Sequence, residues 1–237
     1  MTTSGGPPGV GRAGRVEAAW QIGKRYRFEA TRWLNGRADG HSFTAEAVLC
    51  APALDPVGFV VDFGRLAGLK EHIDDRLDHS CLNAHLPDVS DQGLASYLTD
   101  WARAHLPADV AACLAQVRIR TGRPRGAAAG FAVEFEATHH LEGLAPGHPC
   151  GQPHGHSYLV SAADADGCSV PVPEELAWHI HKVLDGSVLN ESLDINPTSE
   201  HLARYLSDWT DRGPATIRVS ETESSWAQYT RGAGHDA

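Results

Sequence analysis

Four blocks of this 237-residue chain occur twice and in the same order, and a chain made of two copies of one unit is constrained to fold as two copies of one architecture. Leu94-Ala-Ser-Tyr-Leu-Thr-Asp-Trp101 returns as Leu202-Ala-Arg-Tyr-Leu-Ser-Asp-Trp209, at an offset of 108 residues. Phe28-Glu-Ala-Thr31 returns as Phe135-Glu-Ala-Thr138, and Leu77-Asp-His-Ser-Cys-Leu-Asn83 as Leu184-Asp-Gly-Ser-Val-Leu-Asn190, both at 107. Asp39-Gly-His-Ser-Phe43 answers His154-Gly-His-Ser-Tyr158 at 115, because the second copy carries a longer loop that holds Cys150.

Each copy has the same coarse plan. Alternating segments near 24–33 and 41–50, and again near 130–139 and 155–163, predict a pair of antiparallel strands. Helical patterns follow near 63–77 and 92–105, then 173–184 and 199–210, and short alternating strands at Gln116–Thr121 and Thr216–Glu221 close the copies. The sum is an α+β module, an antiparallel sheet with two helices on one face. The stretch Gly122-Arg-Pro-Arg-Gly126 reads as the seam, giving a first module over 19–124 and a second over 125–237. The Gly/Pro-rich start, residues 1–18, reads as a disordered tail and not as a signal peptide.

The chemistry concentrates in the second copy. His154 and His156 are two apart on a strand and point to one face, with Gly155 keeping the backbone slim between them. On the neighbouring strand, Phe131, Val133, Phe135 and Ala137 alternate with Glu134, Glu136 and Thr138, and the parity puts His139 with the apolar set. Three neutral imidazoles with an open fourth position are the ligand set of a catalytic zinc, so one zinc ion per chain is expected at His139, His154 and His156. His179 and His181 share the spacing but lie in a helical segment, where residues two apart diverge by roughly 200°, and are set aside.

Composition narrows the class. Hydrophobic residues make up 42% of the chain, enough for real cores, and a net charge of -10 argues against a nucleic-acid partner, whose phosphates call for clustered Lys and Arg. There is no run of about 18 apolar residues, the length a membrane span needs. Five scattered cysteines, odd in number and without Cys-x-x-Cys spacing, point to a reducing, cytoplasmic setting.

Taken together, Phe-Glu-Ala-x-His, Cys-x3-His-Gly-His-Ser-Tyr, Leu-Asp-His-x2-Leu-Asn, Pro-Thr-Ser-Glu and a terminal Glu-Thr, in that order, resemble the 6-pyruvoyltetrahydropterin synthase / 6-carboxytetrahydropterin synthase family over nearly the whole chain, twice. The resemblance implies the T-fold (tunnelling fold), whose modules pair edge to edge into oligomeric barrels, and hence a homo-oligomer with zinc-dependent sites at module interfaces. It implies His139, His154 and His156 for zinc, Cys150 as the base, and Glu221 as the anchor of a pterin ring. The second copy departs at Gly186, where the family has the histidine of an Asp-His pair; the first copy keeps Asp78-His79 but has Arg32 and Asp39 at two zinc positions, no cysteine before Asp39, and Arg120 for the glutamate. Together the copies hold one full set, so the expected site draws Asp78 and His79 from the first and the rest from the second. Decay of one or both copies, leaving the chain a scaffold, is the competing reading.

The implied activity is a lyase acting on the side chain of 7,8-dihydroneopterin triphosphate or a close relative. A cysteine four residues before the first histidine of His-Gly-His resembles the 6-carboxytetrahydropterin synthases of the deazapurine and queuosine pathways. The alternatives are triphosphate elimination to the 6-pyruvoyl product, an altered substrate in secondary metabolism, or a non-catalytic pterin- or metal-binding subunit. A thiol beside a zinc ion and a protonated imidazole is expected to ionise easily. In the first copy, parity brings Arg32 and Asp39 to the places of His139 and His154, where they are expected to pair.

Overall fold

The computed structural model describes residues 19–121, 131–210 and 213–232, so the tail and the expected seam lie outside the described residues. Ten strands form one sheet. In chain order they are β1 (Ala19–Leu34), β2 (Arg37–Ala51), β3 (Ser80–Cys81), β4 (Leu114–Thr121), β5 (Val133–His139), β6 (His154–Ala163), β7 (Ser169–Val170), β8 (Ser187–Val188), β9 (Thr216–Thr222) and β10 (Ser225–Thr230). The helices are α1 (Ala67–Arg76), α2 (Asp91–His105), α3 (Ala108–Cys113), α4 (Glu174–His179, continued by a π-helical turn to Leu184), α5 (Leu189–Ser192) and α6 (Ser199–Asp208).

The sheet runs β4-β2-β1-β10-β9-β6-β5-β8, with β3 on β1 and β7 on β6. The repeat is visible in it: β1 and β2 pair as β5 and β6 do, β4 lies against β2 as β9 lies against β6, and α2 and α6 carry the matched Leu-Ala-x-Tyr-Leu block. β10 extends the expectation of one closing strand per copy. Its alternating Trp226, Gln228 and Thr230 turn one way and Ser225, Ala227 and Tyr229 the other, and it carries the second copy across to the first by pairing Ala19↔Thr230 through Lys24↔Ser225.

Alternation builds two cores on the helix-covered face. Ile22, Phe28, Phe43 and Leu49 meet Leu69, Ile73, Leu94 and Leu98 in the first, and Phe135, Tyr158 and Val160 meet Leu176, Ile180, Leu202 and Leu206 in the second. Trp20 packs against both cores. At the junction a Cβ on Gly23 would stand 2.2 Å from Cε2 of Trp226, whose indole N–H donates to Oε1 of Glu46 at 2.9 Å. The glycine is what lets the indole cross the joint between copies.

Strand register corrects one expected correspondence. Thr44 pairs with Arg120 and Phe43 with Thr121, while Leu159, the counterpart of Thr44, pairs with Ser220. Thr121, and not Arg120, therefore stands where the second copy has Glu221. A slip of one residue moves a side chain to the other face of a sheet, and Arg120 is on the helix-free face.

Candidate functional site

The site is built where β5, β6 and β9 end near the start of α6. His139 pairs with His154 and Ala137 with His156 across β5 and β6, so all three rings turn to the helix-covered face. His139 is 1% exposed. Its Nδ1 meets the Pro197 carbonyl at 2.9 Å and that of His154 meets the Gln152 carbonyl at 2.7 Å, so both rings donate from Nδ1 and carry their lone pairs on Nε2. Those two Nε2 atoms face each other at 3.2 Å. Nε2 of His156 is buried without a hydrogen-bond partner of suitable direction, although Oε1 of Glu221 is 2.7 Å away.

His139, His154, His156 and Glu221 thus offer ligand atoms that all lie within 4.8 Å of one another. Lone pairs and a carboxylate aimed at one point repel one another unless a cation joins them, and carbonyls behind two of the imidazoles fix the tautomer that a metal requires. The residues fit a metal ion, and imidazole with carboxylate suits zinc.

Glu221 stands beside the histidines. Oε1 is also 3.7 Å from Nε2 of His139, and Oε2 accepts from Ser199 Oγ at 2.9 Å at the first turn of α6. Burial opposes its ionisation, but the His156 ring, the Ser199 hydroxyl and His139 outweigh burial and hold the carboxyl below its ordinary value. For His139, burial is the largest influence and keeps the imidazole neutral. Glu200, the next residue on α6, is fully buried and pushed up to about 8 by that burial, with the Val60 N–H, 3.1 Å from Oε1, pulling the other way. Burial favours its protonated form.

Cys150 follows His148 in the loop between β5 and β6, half-buried, with its carbonyl taking the Leu141 N–H at 2.8 Å. The expected ease of ionisation depends on a cation beside the thiol. Burial first, then the charges of Glu221 and Asp62, push the thiol above its ordinary value. A thiolate there needs a positive charge brought to the site.

The first copy reaches this site by a different segment from the one expected. Asp55 gathers the N–H groups of Val57, Gly58 and Phe59 on one oxygen, and the loop so formed lies on the start of α6. Asn196 Nδ2 donates to the Val57 carbonyl at 2.7 Å and Thr198 Oγ1 to that of Gly58 at 3.1 Å. A Cβ on Gly58, at φ 105°, would stand 2.3 Å from the His201 ring. Lys24 of β1 donates to Ser224 Oγ at 3.2 Å and sits 5.4 Å from the Phe63 ring centre; burial lowers its pKa, against the pull of Glu221. The pattern Gly58-Phe-Val-Val-Asp-Phe63 was the signal in the sequence for this segment.

Asp78 and His79 are not among these contacts. Asp78 accepts the Glu29 N–H on Oδ1 at 2.7 Å and faces His79 Nδ1 at 2.8 Å, and the His79 side chain is 79% exposed. In the second copy Asp185 accepts the Glu136 N–H in the same way, at 2.9 Å, so the aspartate has one structural task in both. His79 has φ 53° and Gly186 φ 71°, a left-handed conformation natural for glycine and strained for histidine. His179 holds Tyr205 Oη at 2.8 Å and stacks on Trp209, a packing role in keeping with its exclusion from the site.

A groove of about 580 Å³ runs between α2 and β4, away from the histidines, beside the edge that β10 would cover by analogy with β9. A cleft of about 370 Å³ opens on His156 beside Gly186. Among the described residues no helix is long and apolar enough to cross a membrane.

Comparison with known proteins agrees with the repeat. No curated protein sequence matches. Among solved structures, 6-pyruvoyl tetrahydropterin synthase from Caenorhabditis elegans aligns at 15% identity over 47% of this chain and 100% of its own, with a TM-score of 0.37. An uncharacterized protein from Wolinella succinogenes aligns at 16% over 90% of this chain and 98% of its own, at 0.25, and the Plasmodium vivax 6-pyruvoyltetrahydropterin synthase at 13% over 90% and 98%, at 0.24. The 6-pyruvoyl tetrahydropterin synthase family profile matches twice, at residues 21–129 and 130–232, and the chain belongs to that family as a tandem duplicate.

Proposed function

We propose that the protein is a zinc-dependent lyase that processes the side chain of 7,8-dihydroneopterin triphosphate or a close relative, in the manner of a 6-carboxytetrahydropterin synthase. The observation that carries this reading is the convergence of three imidazoles beside Glu221 in the copy that also holds Cys150. His139, His154 and His156 would hold the ion, which when bound supplies a Lewis acid to oxygens of the substrate side chain. Cys150 would take the proton from the side chain, with Asp78 and His79 assisting its transfer. Glu221 would accept the N–H donors of the pterin ring.

The described contacts of Asp78 and His79 stay within the first copy, which favours a site completed between chains of a homo-oligomer. Incubating zinc-loaded protein with dihydroneopterin triphosphate and identifying products by mass spectrometry tests the reading: a 6-carboxy product supports it, a 6-pyruvoyl product reassigns it to triphosphate elimination, and an unchanged substrate sinks it. Mixing inactive His79→Ala and Cys150→Ala proteins should restore part of the activity if sites form between chains.

A further inference from the structure

Cys150 is tethered by a chain of hydrogen bonds that starts in the other copy. Asp62 opens the short helical turn Phe63–Leu66, where its Oδ1 accepts the Gly64 N–H at 2.8 Å; this fixes the carboxylate and leaves Oδ2 facing away. Oδ2 lies 3.1 Å from Nε2 of His148. On its other side the His148 ring accepts the Cys150 N–H on Nδ1 at 3.2 Å. An imidazole that accepts at Nδ1 carries its proton on Nε2, so it donates to Asp62 and the ring has one orientation that satisfies both partners. With its carbonyl on the Leu141 N–H, Cys150 is held at both its backbone N–H and its carbonyl.

Neither copy could build this chain alone. The second copy's stretch from Gly167 to Pro173 has no carboxylate in the region matching Asp62, and the first copy has neither His nor Cys between Arg32 and Asp39. The Asp62 side chain is 33% exposed and that of His148 25%, and a hydrogen bond so open to water adds little to stability. Its end at the Cys150 backbone points to another task.

We propose that Asp62 and His148 are positioning residues for Cys150: the first copy, through Asp62, sets the His148 ring, and the ring sets the Cys150 backbone and so the direction of the thiol relative to His139, His154 and His156. This rests on the reading of Cys150 as the proton-transferring group. The first copy then contributes to the second copy's site within one chain, independently of where Asp78 and His79 act. A reacting group misplaced by about 1 Å can cost about a hundred-fold in rate, so a backbone tether is enough to matter.

The test reads the thiol without any substrate. Full-length, zinc-loaded protein is treated with iodoacetamide and the alkylation of Cys150 followed by mass spectrometry of its peptide. Asp62→Asn retains the oxygen that caps Gly64 but turns an N–H₂ toward His148; His148→Asn retains an acceptor for the Cys150 N–H but lets go of Asp62. Each is expected to change the rate constant by about five-fold or more, and the double variant by no more than either single one, as for links of one chain. Unchanged rates in both single variants, fully additive effects, or changes that merely track a loss of melting temperature would overturn the proposal. In turnover, kcat should fall while KM moves less than about two-fold. Altered alkylation in a protein that converts no dihydropterin would keep the tether and dismiss the activity.

Discussion

Arg32 and Asp39 face each other across β1 and β2 in the register that His139 and His154 hold across β5 and β6. Where the second copy brings two imidazole nitrogens together, the first has a guanidinium whose Nε donates to Oδ2 of Asp39 at 2.9 Å. Nη1 of Arg32 also reaches Asp91 Oδ1 at 2.7 Å and the Val89 carbonyl at 2.9 Å, and its Cζ lies 5.2 Å from the Phe43 ring centre. The carboxylate has changed places as well. In the second copy Ser199 on the helix donates to Glu221 on the strand; in the first, Thr121 on the strand donates to Asp91 on the helix. A fixed cation on the chain occupies the ground that His139 and His154 hold in its sister.

Removing that cation should cost stability with no metal involved. Arg32 is 6% exposed, so Arg32→Met, which takes the guanidinium from Asp39 and Asp91, is expected to lower unfolding free energy by about 3 kcal/mol. Asp39→Ala should cost less, about 1–2 kcal/mol, because the guanidinium keeps Asp91 and Val89. Urea unfolding measures both, and a smaller loss for Arg32→Met than for Asp39→Ala would contradict the arrangement.

Metal content should follow the same asymmetry. One zinc per chain is expected, and His154→Ala should remove it while leaving the first copy's pair intact. Elemental analysis that finds two tightly held ions, or full occupancy in His154→Ala, would refute the assignment.

His79 should trade stability for its task. Glycine at its left-handed φ would relieve about 1 kcal/mol of strain, more than the exposed contact with Asp78 supplies. His79→Gly is therefore expected to melt slightly higher than the parent while losing turnover. A lower melting temperature would show that the strain is absent.

Glu200 sets a slope of stability against pH. Its folded pKa, about 8, lies above that of a free glutamate, so the proton's contribution is whole below pH 4.5 and lost as pH rises through about 8. Between those values this group alone should lower stability by roughly 1.4 kcal/mol per pH unit. Glu200→Gln, an uncharged replacement, should flatten that slope and make the protein the more stable of the two at pH 8.5. Equal slopes in thermal melts across this range would rule out a buried neutral acid.

The amino-acid order alone was enough for what depends on near neighbours. Alternation with period two along 131–139 and 154–158 put His139, His154 and His156 on one face, and side-chain parity needs no knowledge of the rest of the chain. The repeated blocks likewise announced two α+β modules, and the Arg32 and Asp39 pairing followed from the same parity. Tertiary structure decided what depends on distant partners. The place of Glu221's counterpart fell to Thr121 because pairing register is a property of two strands. The Cys150 thiol is held above its ordinary value by burial first, and then by Glu221 and Asp62, far away in sequence, which bring negative charge to it. The loop from Asp55 to Asp62 came to rest on α6 because three backbone groups in it find partners at Asn196, Thr198 and Glu200. Electrostatic and hydrogen-bond energies sum over neighbours in space, and only the folded chain determines which neighbours those are.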